Sequence, residues 1–196
     1  MIDILNLTFP ELERFIVEDL GQPKFRAAQV WQWIWQKHAT SFDAMTDVSK
    51  QLRAKLAEIA EIVLPQCVSS QIGCAMGCTF CSTGTMGFIR NMTAGEILSQ
   101  VLVARMRLGD NRIDHPIIRN LVFMGMGEPL LNLRETTRAL EMLNHDKGMD
   151  FSPRRITVST CGIKAGLREL GDSGLAFLAV SLHAPNQELR AKIMPK

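Results

Sequence analysis

The sequence predicts an α/β protein, with a small N-terminal helical domain followed by an incomplete (β/α) barrel of the TIM type with parallel strands. Two observations predict this fold class. Residues 1–63 carry apolar side chains at helical spacing, and from residue 67 onward short apolar runs alternate with helical segments. Strand, helix and strand, repeated in that order, predict a parallel sheet with right-handed crossovers. The expected domains are therefore 1–63 and 67–196.

Three helices are predicted in the N-terminal domain. Pro10 suits the first turn of the first helix, and Ser49 is a good N-cap for the third. Trp31, Trp33 and Trp35 alternate along the second helix, so they cannot share one face, and we expect one or two of them in the core. The apolar faces are predicted at Leu12, Phe15, Ile16 and Leu20; at Ala27, Val30, Trp31 and Ile34; and at Leu52, Leu56, Ile59 and Val63.

The second domain begins with a predicted strand and ends with one. The predicted strands are Val68–Ile72, Ile117–Met124, Arg155–Ser159 and Leu175–Leu182. Thr93 and Glu96 match a capping box, which predicts a helix carrying Ile97, Val101 and Leu102. Two further helices are expected over residues 134–143 and 163–170.

The predicted barrel is incomplete. An eight-unit barrel takes about 250 residues, whereas this sequence has 196 residues and reaches only a fourth strand. Four strands cannot close a barrel, so one edge of the sheet should remain unpaired. We therefore expect the chain to be a fragment of a longer protein. The alternative is a compact four-stranded open sheet.

Composition excludes several classes of protein. Hydrophobic residues make up 46% of the chain and charged residues 21%, which is ordinary for a globular protein and unlike a disordered one. The net charge of +2 does not by itself indicate nucleic-acid binding. No apolar run approaches the length of a membrane span, and the N-terminus lacks the pattern of a signal peptide. We expect a cytoplasmic protein with no membrane partner.

Three cysteines crowd into eight residues, as Cys74-Ala-Met-Gly-Cys78-Thr-Phe-Cys81. They follow the first predicted strand of the second domain, so they should lie at the carboxyl ends of the parallel strands, where α/β proteins place their active sites. Three thiolates can bind three irons of a [4Fe–4S] cluster and leave the fourth iron free for another ligand. This spacing favours an iron–sulfur cluster with an open iron.

Two other readings of the cysteines remain open at this point. A structural zinc site needs four ligands, and the nearest histidine in sequence is His115. An electron-transfer cluster also takes four cysteines, and Cys67 or Cys161 could supply the fourth.

Four motifs in order resemble one enzyme family. They are CVSSQIGCAMGCTFCSTGTMGFIR at 67–90, MGMGEPLLN at 124–132, RRITVSTCG at 154–162 and AVSLHAPN at 179–186. Together they resemble RlmN, the radical S-adenosylmethionine methyltransferases that act on C2 of an adenine in 23S rRNA and tRNA. The sister family Cfr, which methylates C8 of the same ribosomal adenine, is the near alternative. Another is a radical SAM enzyme of the same fold that acts on a different substrate. A non-enzymatic zinc or iron–sulfur module that only binds RNA is the more distant one.

The resemblance implies cofactors, partners and roles for particular residues. It implies a partial radical-SAM barrel, a [4Fe–4S] cluster on Cys74, Cys78 and Cys81, and S-adenosyl-L-methionine as cosubstrate. The partners implied are 23S rRNA and tRNA, held in part by the domain at 1–63, and an electron donor such as flavodoxin; we expect a monomer. The cosubstrate contacts implied are Gly127, Glu128, Ser159, Ser181, Leu182 and His183.

Cys67 matches the resolving cysteine of the family. By resemblance, a second cysteine near the C-terminus carries a methyl group to the adenine, and Cys67 releases the product by forming a disulfide with that carrier. None of the five cysteines here matches the carrier, and Cys161 matches no family role, so we expect it to be structural. A strand-rich stretch that the family has before Cys67 is also expected to be missing. The chain alone should therefore not complete methyl transfer.

Overall fold

The computed structural model describes residues 1–62, 64–110 and 116–195, and it divides the chain into two compact units. The helical unit comprises the described residues of 1–64 and 110–118, and the sheet unit comprises those of 65–109 and 119–195. In both units the described residues include no helix long and apolar enough to cross a membrane.

The helical unit contains the three predicted helices, α1 (Phe9–Arg14), α2 (Phe25–Trp35) and α3 (Lys50–Ile59). The chain continues from α1 into a π-helical turn, and two short parallel strands, β1 (Ile2–Asp3) and β2 (Ala60–Glu61), flank the helices. The starts of two helices follow from their caps. Thr8 and Glu11 form a capping box before α1, and the Ser49 hydroxyl accepts a hydrogen bond of 3.3 Å from the amide of Leu52.

The core of the helical unit is made by the predicted apolar faces. Its buried residues on the three helical segments include Leu12, Phe15, Ile16, Ala27, Val30, Ile34, Leu52 and Leu56. Trp31 and Trp33 are partly buried against this core, while Trp35 is 47% exposed. Trp31 and Trp33 thus border the core that was expected to contain one or two tryptophans. The predicted core position Val63 lies outside the described residues.

Four strands form the main sheet, in the order β3 (Leu64–Cys67), β6 (Ile118–Phe123), β7 (Ile156–Thr160) and β8 (Phe177–Val180). β6, β7 and β8 pair in parallel, with Val122 opposite Thr157 and Val158 opposite Leu178. The connections contain α5 (Ala94–Arg107), α6 (Leu133–Asn144) and α7 (Lys164–Ser173), and α8 (Gln187–Ile193) follows β8. The predicted α/β fold class with a parallel sheet is confirmed.

One predicted strand is wrong. Val68–Ile72 is not a strand of the main sheet: β3 ends at Cys67, and beyond it the amide of Val68 still donates to the carbonyl of Val122 (2.8 Å) before the chain turns into a second pairing. Gln71–Gly73 forms β4, which pairs antiparallel with β5 (Phe88–Asn91) in a separate hairpin. The cysteine loop and the short helix α4 (Ser82–Thr85) lie between the two strands of this hairpin.

α5 begins at the predicted capping box. The Thr93 hydroxyl accepts a hydrogen bond from the amide of Glu96, and the Glu96 carboxylate accepts one from the amide of Thr93. Ile97 and Val101 are buried as expected, but Leu102 is exposed, because it lies beyond the buried face of the helix. β8 lies at the edge of the main sheet, and several of its apolar side chains are exposed.

Candidate functional site

The cysteine loop is held closed by backbone contacts. The amide of Cys74 donates to the carbonyl of Gly87 (2.9 Å), and the amide of Cys81 donates to the carbonyl of Cys78 (3.1 Å). Gly84 packs closely against the backbone of Cys78. Any larger residue would clash there, because a Cβ at position 84 would lie 2.8 Å from the carbonyl oxygen of Cys78. The loop is therefore a tight turn whose shape depends on backbone packing.

The three cysteines of the loop are free thiols, half-buried, and close enough to interact electrostatically. Burial raises the pKa of Cys74, and the negative charges of Glu128 and Cys81 raise it further. Burial also raises the pKa of Cys78, with added contributions from Cys74 and Cys81. Negative charge at this loop is thus unfavourable in the free protein, and bound cations would relieve the repulsion.

This donor set fits an iron–sulfur cluster. Soft thiolates are the ligands that such clusters take, and each cysteine binds a different iron, so the sulfurs need not converge on one point. Within the described residues, no three His, Cys, Asp or Glu side chains are grouped to hold a single metal ion. His115, considered for a zinc site, lies outside the described residues.

Glu128 forms a buried hub where β6 and β7 end. Its side chain is buried, and its Oε1 accepts hydrogen bonds from the Thr160 hydroxyl (2.6 Å) and the Leu130 amide (3.0 Å). Its Oε2 accepts one from the Cys161 amide (2.8 Å), and its own amide donates to Gln71 Oε1 (2.8 Å). A carboxylate offers about four acceptor positions, so most of them already hold protein donors. An ammonium group of a ligand would have to bind at the remaining acceptor position of the carboxylate.

The Cys161 thiol lies beside this hub. Burial raises the pKa of Cys161 to about 12, and a hydrogen bond from its thiol to Glu128 contributes. Cys161 also packs in an apolar cluster with Met76 and Met194, against which Cys74 and Cys78 lie. Cys161 is thus engaged with Glu128 just after β7, whereas Cys74, Cys78 and Cys81 share one loop.

The other residues expected to contact the cosubstrate lie at the ends of neighbouring strands. Gly127 follows β6 with a φ of 99°, and a Cβ there would lie 2.5 Å from Cβ of Gln71, so the close approach requires glycine. Ser159 is on β7 and half-buried, and the amide of Ser181, just after β8, donates to the carbonyl of Thr160 (2.8 Å).

Leu182 and His183 are exposed beyond β8. His183 has a positive φ of 55°, which is uncommon for a residue with a side chain. Its ring lies 4.6 Å from the ring of Phe80, centroid to centroid. Because Phe80 lies between Cys78 and Cys81, this contact brings the end of β8 to the cysteine loop.

Cys67 is the last residue of β3 and its side chain is exposed. All five cysteines are free, so the disulfide implied by the resemblance is not formed within this chain. The position of Cys67 at the end of a sheet strand leaves its thiol accessible for reaction.

Sequence reasoning missed several residues that build the site. Gln71 and Thr160 hold Glu128, while Arg190 donates to the carbonyl of Cys161 and Met194 packs beside the thiols. Thr160 adjoins Ser159 within a recognised motif, which was a usable signal. Arg190 and Met194 lie on α8 and just after it, far along the chain from the residues they contact, and no local pattern marks them.

The fold and the cysteine loop define a class of protein. The family model described as "Radical SAM superfamily" matches residues 68–196, and the chain belongs to that superfamily. Residues 2–62 match the model described as "Ribosomal RNA large subunit methyltransferase N-terminal domain", which is the N-terminal domain of RlmN. The resemblance to RlmN is thereby confirmed.

Curated relatives agree with these matches. The chain is 61% identical to the dual-specificity RNA methyltransferase RlmN of Nitratidesulfovibrio vulgaris (strain DP4), covering 100% of this chain and 65% of that protein. It is 52% identical to RlmN of Lawsonia intracellularis, covering 100% of this chain and 66% of that protein. A crystal structure of a radical SAM methyltransferase from Sphaerobacter thermophilus matches with a TM-score of 0.62 and 36% identity, covering 100% of this chain and 67% of that one.

The chain thus spans about 65% of the length of the first curated relatives. The alignment to the Nitratidesulfovibrio vulgaris protein runs over 238 positions although this chain has 196 residues, so that relative carries internal residues that this chain lacks. This agrees with the expectation of a missing internal stretch, whose placement before Cys67 stays a prediction.

Proposed function

We propose that this chain provides the cluster- and cosubstrate-binding part of a radical SAM RNA methyltransferase that methylates C2 of an adenine in 23S rRNA and tRNA. The observation that carries the proposal is the cysteine loop. It presents three half-buried cysteines in one tight turn, and the buried Glu128, where two parallel strands end, lies near enough to raise the pKa of Cys74 and Cys78 further. The names of the curated relatives support the choice of RNA as substrate.

In this proposal Cys74, Cys78 and Cys81 hold a [4Fe–4S] cluster. Radical SAM proteins of the RlmN family use this cluster with S-adenosylmethionine, and when bound the cluster supplies the electron that cleaves the cosubstrate. The proposed cosubstrate contacts are Gly127, Glu128, Ser159, Ser181, Leu182 and His183. Their support is their common position at the ends of β6, β7 and β8.

Each part of the site has a physical task. Gly127 lets the backbone pass close to Gln71, since a Cβ there would lie 2.5 Å from Cβ of Gln71, and this close packing positions Glu128. Glu128 can accept a hydrogen bond from an ammonium group of the ligand if that group displaces the Cys161 thiol, which is a weak donor. Ser159 and Ser181 offer hydroxyls suited to a ribose or a carboxylate. The Phe80–His183 contact joins the segment after β8 to the cysteine loop.

The remaining roles are proposed on resemblance. Cys67 would release the product by forming a disulfide with a methyl-carrying cysteine. None of the five cysteines of this chain matches that carrier. Residues 1–63 would help hold the RNA, and the exposed ring of Trp35 is suited to stacking on an unpaired base. A flavodoxin-like electron donor, a monomeric state and a cytoplasmic location stay predictions.

The test is anaerobic reconstitution with iron and sulfide, followed by electron paramagnetic resonance of the reduced chain with and without S-adenosylmethionine. We expect a [4Fe–4S]⁺ signal that changes when the cosubstrate is added. Cys78→Ala should lose the signal. Cys67→Ala is the matched control, because it removes an exposed thiol outside the loop, and it should keep the signal.

Two results would contradict the proposal. Zinc without a cluster would indicate a structural metal module. A four-iron cluster indifferent to the cosubstrate, and lost in Cys161→Ala, would indicate a fourth cysteine ligand and electron transfer. Methylation assays on a longer protein, with mass analysis of the adenine product, would separate C2 from C8 chemistry.

A further inference from the structure

The chain after β8 folds back onto the cysteine loop. The amide of Thr79, inside the loop, donates to the carbonyl of Ile193 at the end of α8 (3.0 Å). The next residue, Met194, is only 3% exposed and forms a buried cluster with Met76 and Cys161. Cys74 and Cys78 pack against this cluster. The pair Ile193–Met194 therefore contacts the loop through both its backbone and its side chains.

This segment is anchored to the Glu128 hub. The guanidinium of Arg190, on α8, donates to the carbonyl of Cys161, whose amide donates to Glu128 (2.8 Å). One turn further along, the amide of Met194 donates to the carbonyl of Arg190 (2.7 Å). Hydrogen bonds through Arg190 thus connect Cys161, just after β7, to Met194. Met194 belongs to the cluster against which the proposed ligands Cys74 and Cys78 pack.

We propose that Ile193–Met194 is a positioning element for the iron–sulfur cluster, which holds the loop in its ligating shape and shields it with apolar surface. The inference rests on the proposed function, since it requires that the loop bind a cluster. An apolar shell controls the access of solvent and the local dielectric, and both affect the stability and the reduction potential of a metal site.

The direction of the effect follows from charge. A cluster held by three thiolates is anionic and gains a further negative charge on reduction, so apolar surroundings disfavour the reduced form. A polar side chain at position 194 would stabilise the reduced form and admit water and oxygen. The segment should therefore lower the reduction potential and slow the loss of iron.

The first arm of the test uses the chain without metal. Alkylation by N-ethylmaleimide is followed at each cysteine by mass spectrometry, in the wild type and in Met194→Gln. We expect faster labelling of Cys74 and Cys78 in the variant, and unchanged labelling of the exposed Cys67. Met106→Gln, at a methionine that is 78% exposed on α5, is the matched control and should change nothing.

The second arm uses the reconstituted protein. Iron loss to a chelator should be roughly tenfold faster in Met194→Gln, as for other residues that support metal ligands. The signal of the reduced cluster should appear at a higher potential in a redox titration. Met194→Leu should restore both properties, because leucine is apolar and of similar size. If Met194→Gln does not fold, Met194→Val replaces it, and its iron loss should exceed that of Met194→Leu.

The outcomes separate the two proposals. If the wild type binds a cluster and Met194→Gln matches it in labelling, iron loss and potential, only the positioning role is wrong. If labelling changes but the potential does not, Met194 is an ordinary core residue and the inference is also overturned. If the wild type takes up no cluster, the proposed function fails first and the positioning role fails with it.

Discussion

Removing the Glu128 carboxylate should destabilise the sheet unit strongly. In Glu128→Ala four donors lose their acceptor: the amides of Leu130 and Cys161, the hydroxyl of Thr160 and the weakly donating thiol of Cys161. A buried donor left without a partner costs about 1–3 kcal/mol, so the two amides and the hydroxyl alone imply a loss of roughly 3–9 kcal/mol. In Glu128→Gln the side-chain oxygen can still accept from Leu130 and Thr160, but the side-chain NH2 group faces the amide of Cys161, which is also a donor. The cost of this variant should therefore be about 1–3 kcal/mol. Domains are typically stable by about 5–15 kcal/mol, so the alanine variant should be close to unfolding.

Urea unfolding followed by far-ultraviolet circular dichroism measures this effect. The tryptophans lie only on α2, in the helical unit, so their fluorescence separates unfolding of that unit from unfolding of the sheet unit. Glu141→Ala, at an exposed glutamate on α6, is the control and should cost less than about 0.5 kcal/mol. If Glu128→Ala unfolds at the same urea concentration as Glu141→Ala, Glu128 is not the hub that its hydrogen bonds indicate.

Three further predictions concern the elements around the site. Thr93→Ala removes the N-cap of α5 and should cost about 1 kcal/mol in urea unfolding; an unchanged midpoint would mean that the cap is not formed. The hydrogen bond from Arg90 lowers the pKa of Glu96 to about 2 from its ordinary value of 4.5. The stability that Glu96 contributes is therefore complete above pH 4.5 and is lost as the pH falls towards 2. The melting temperature of Glu96→Gln should therefore lie below that of the wild type at pH 7 and converge with it in acid; a gap independent of pH would contradict this. Gly84→Ala places a Cβ 2.8 Å from a carbonyl oxygen of the cysteine loop and should reduce the iron content after reconstitution, whereas Gly95→Ala, with its nearest neighbour at 3.9 Å, should not.

Local chemistry explains why most of the fold could be predicted. The capping box at Thr93 and the serine cap at Ser49 set the starts of α5 and α3, and both signals lie within four residues. The largely apolar segment Ile117–Met124 predicts the strand that the structure has at Ile118–Phe123. The hairpin of Gln71–Gly73 with Phe88–Asn91 could not be predicted in this way, because its pairing depends on residues separated by the whole cysteine loop.

The site was predictable only in part, for the same reason. The cysteine spacing and the motif at Glu128 are local, so they identify the loop and the acidic residue. The partners of Glu128 are not local: Gln71 is 57 residues away and Thr160 is 32 residues away in sequence. Arg190 reaches Cys161 across 29 residues, and Thr79 reaches Ile193 across 114. Such contacts follow from topology, which brings distant strand ends to one edge of the sheet.

The end of β7 shows how one strand serves both structure and binding. Thr160 is buried and its hydroxyl holds Glu128, while its neighbour Ser159 is half-buried. Side chains alternate between the faces of a strand, so these two residues cannot act on the same side. Thr160 therefore holds the carboxylate, and the ligand contact of Ser159 rests on the resemblance alone. Thr160→Val should then act through Glu128 and reduce stability, whereas Ser159→Ala should weaken cosubstrate binding and leave the unfolding midpoint nearly unchanged.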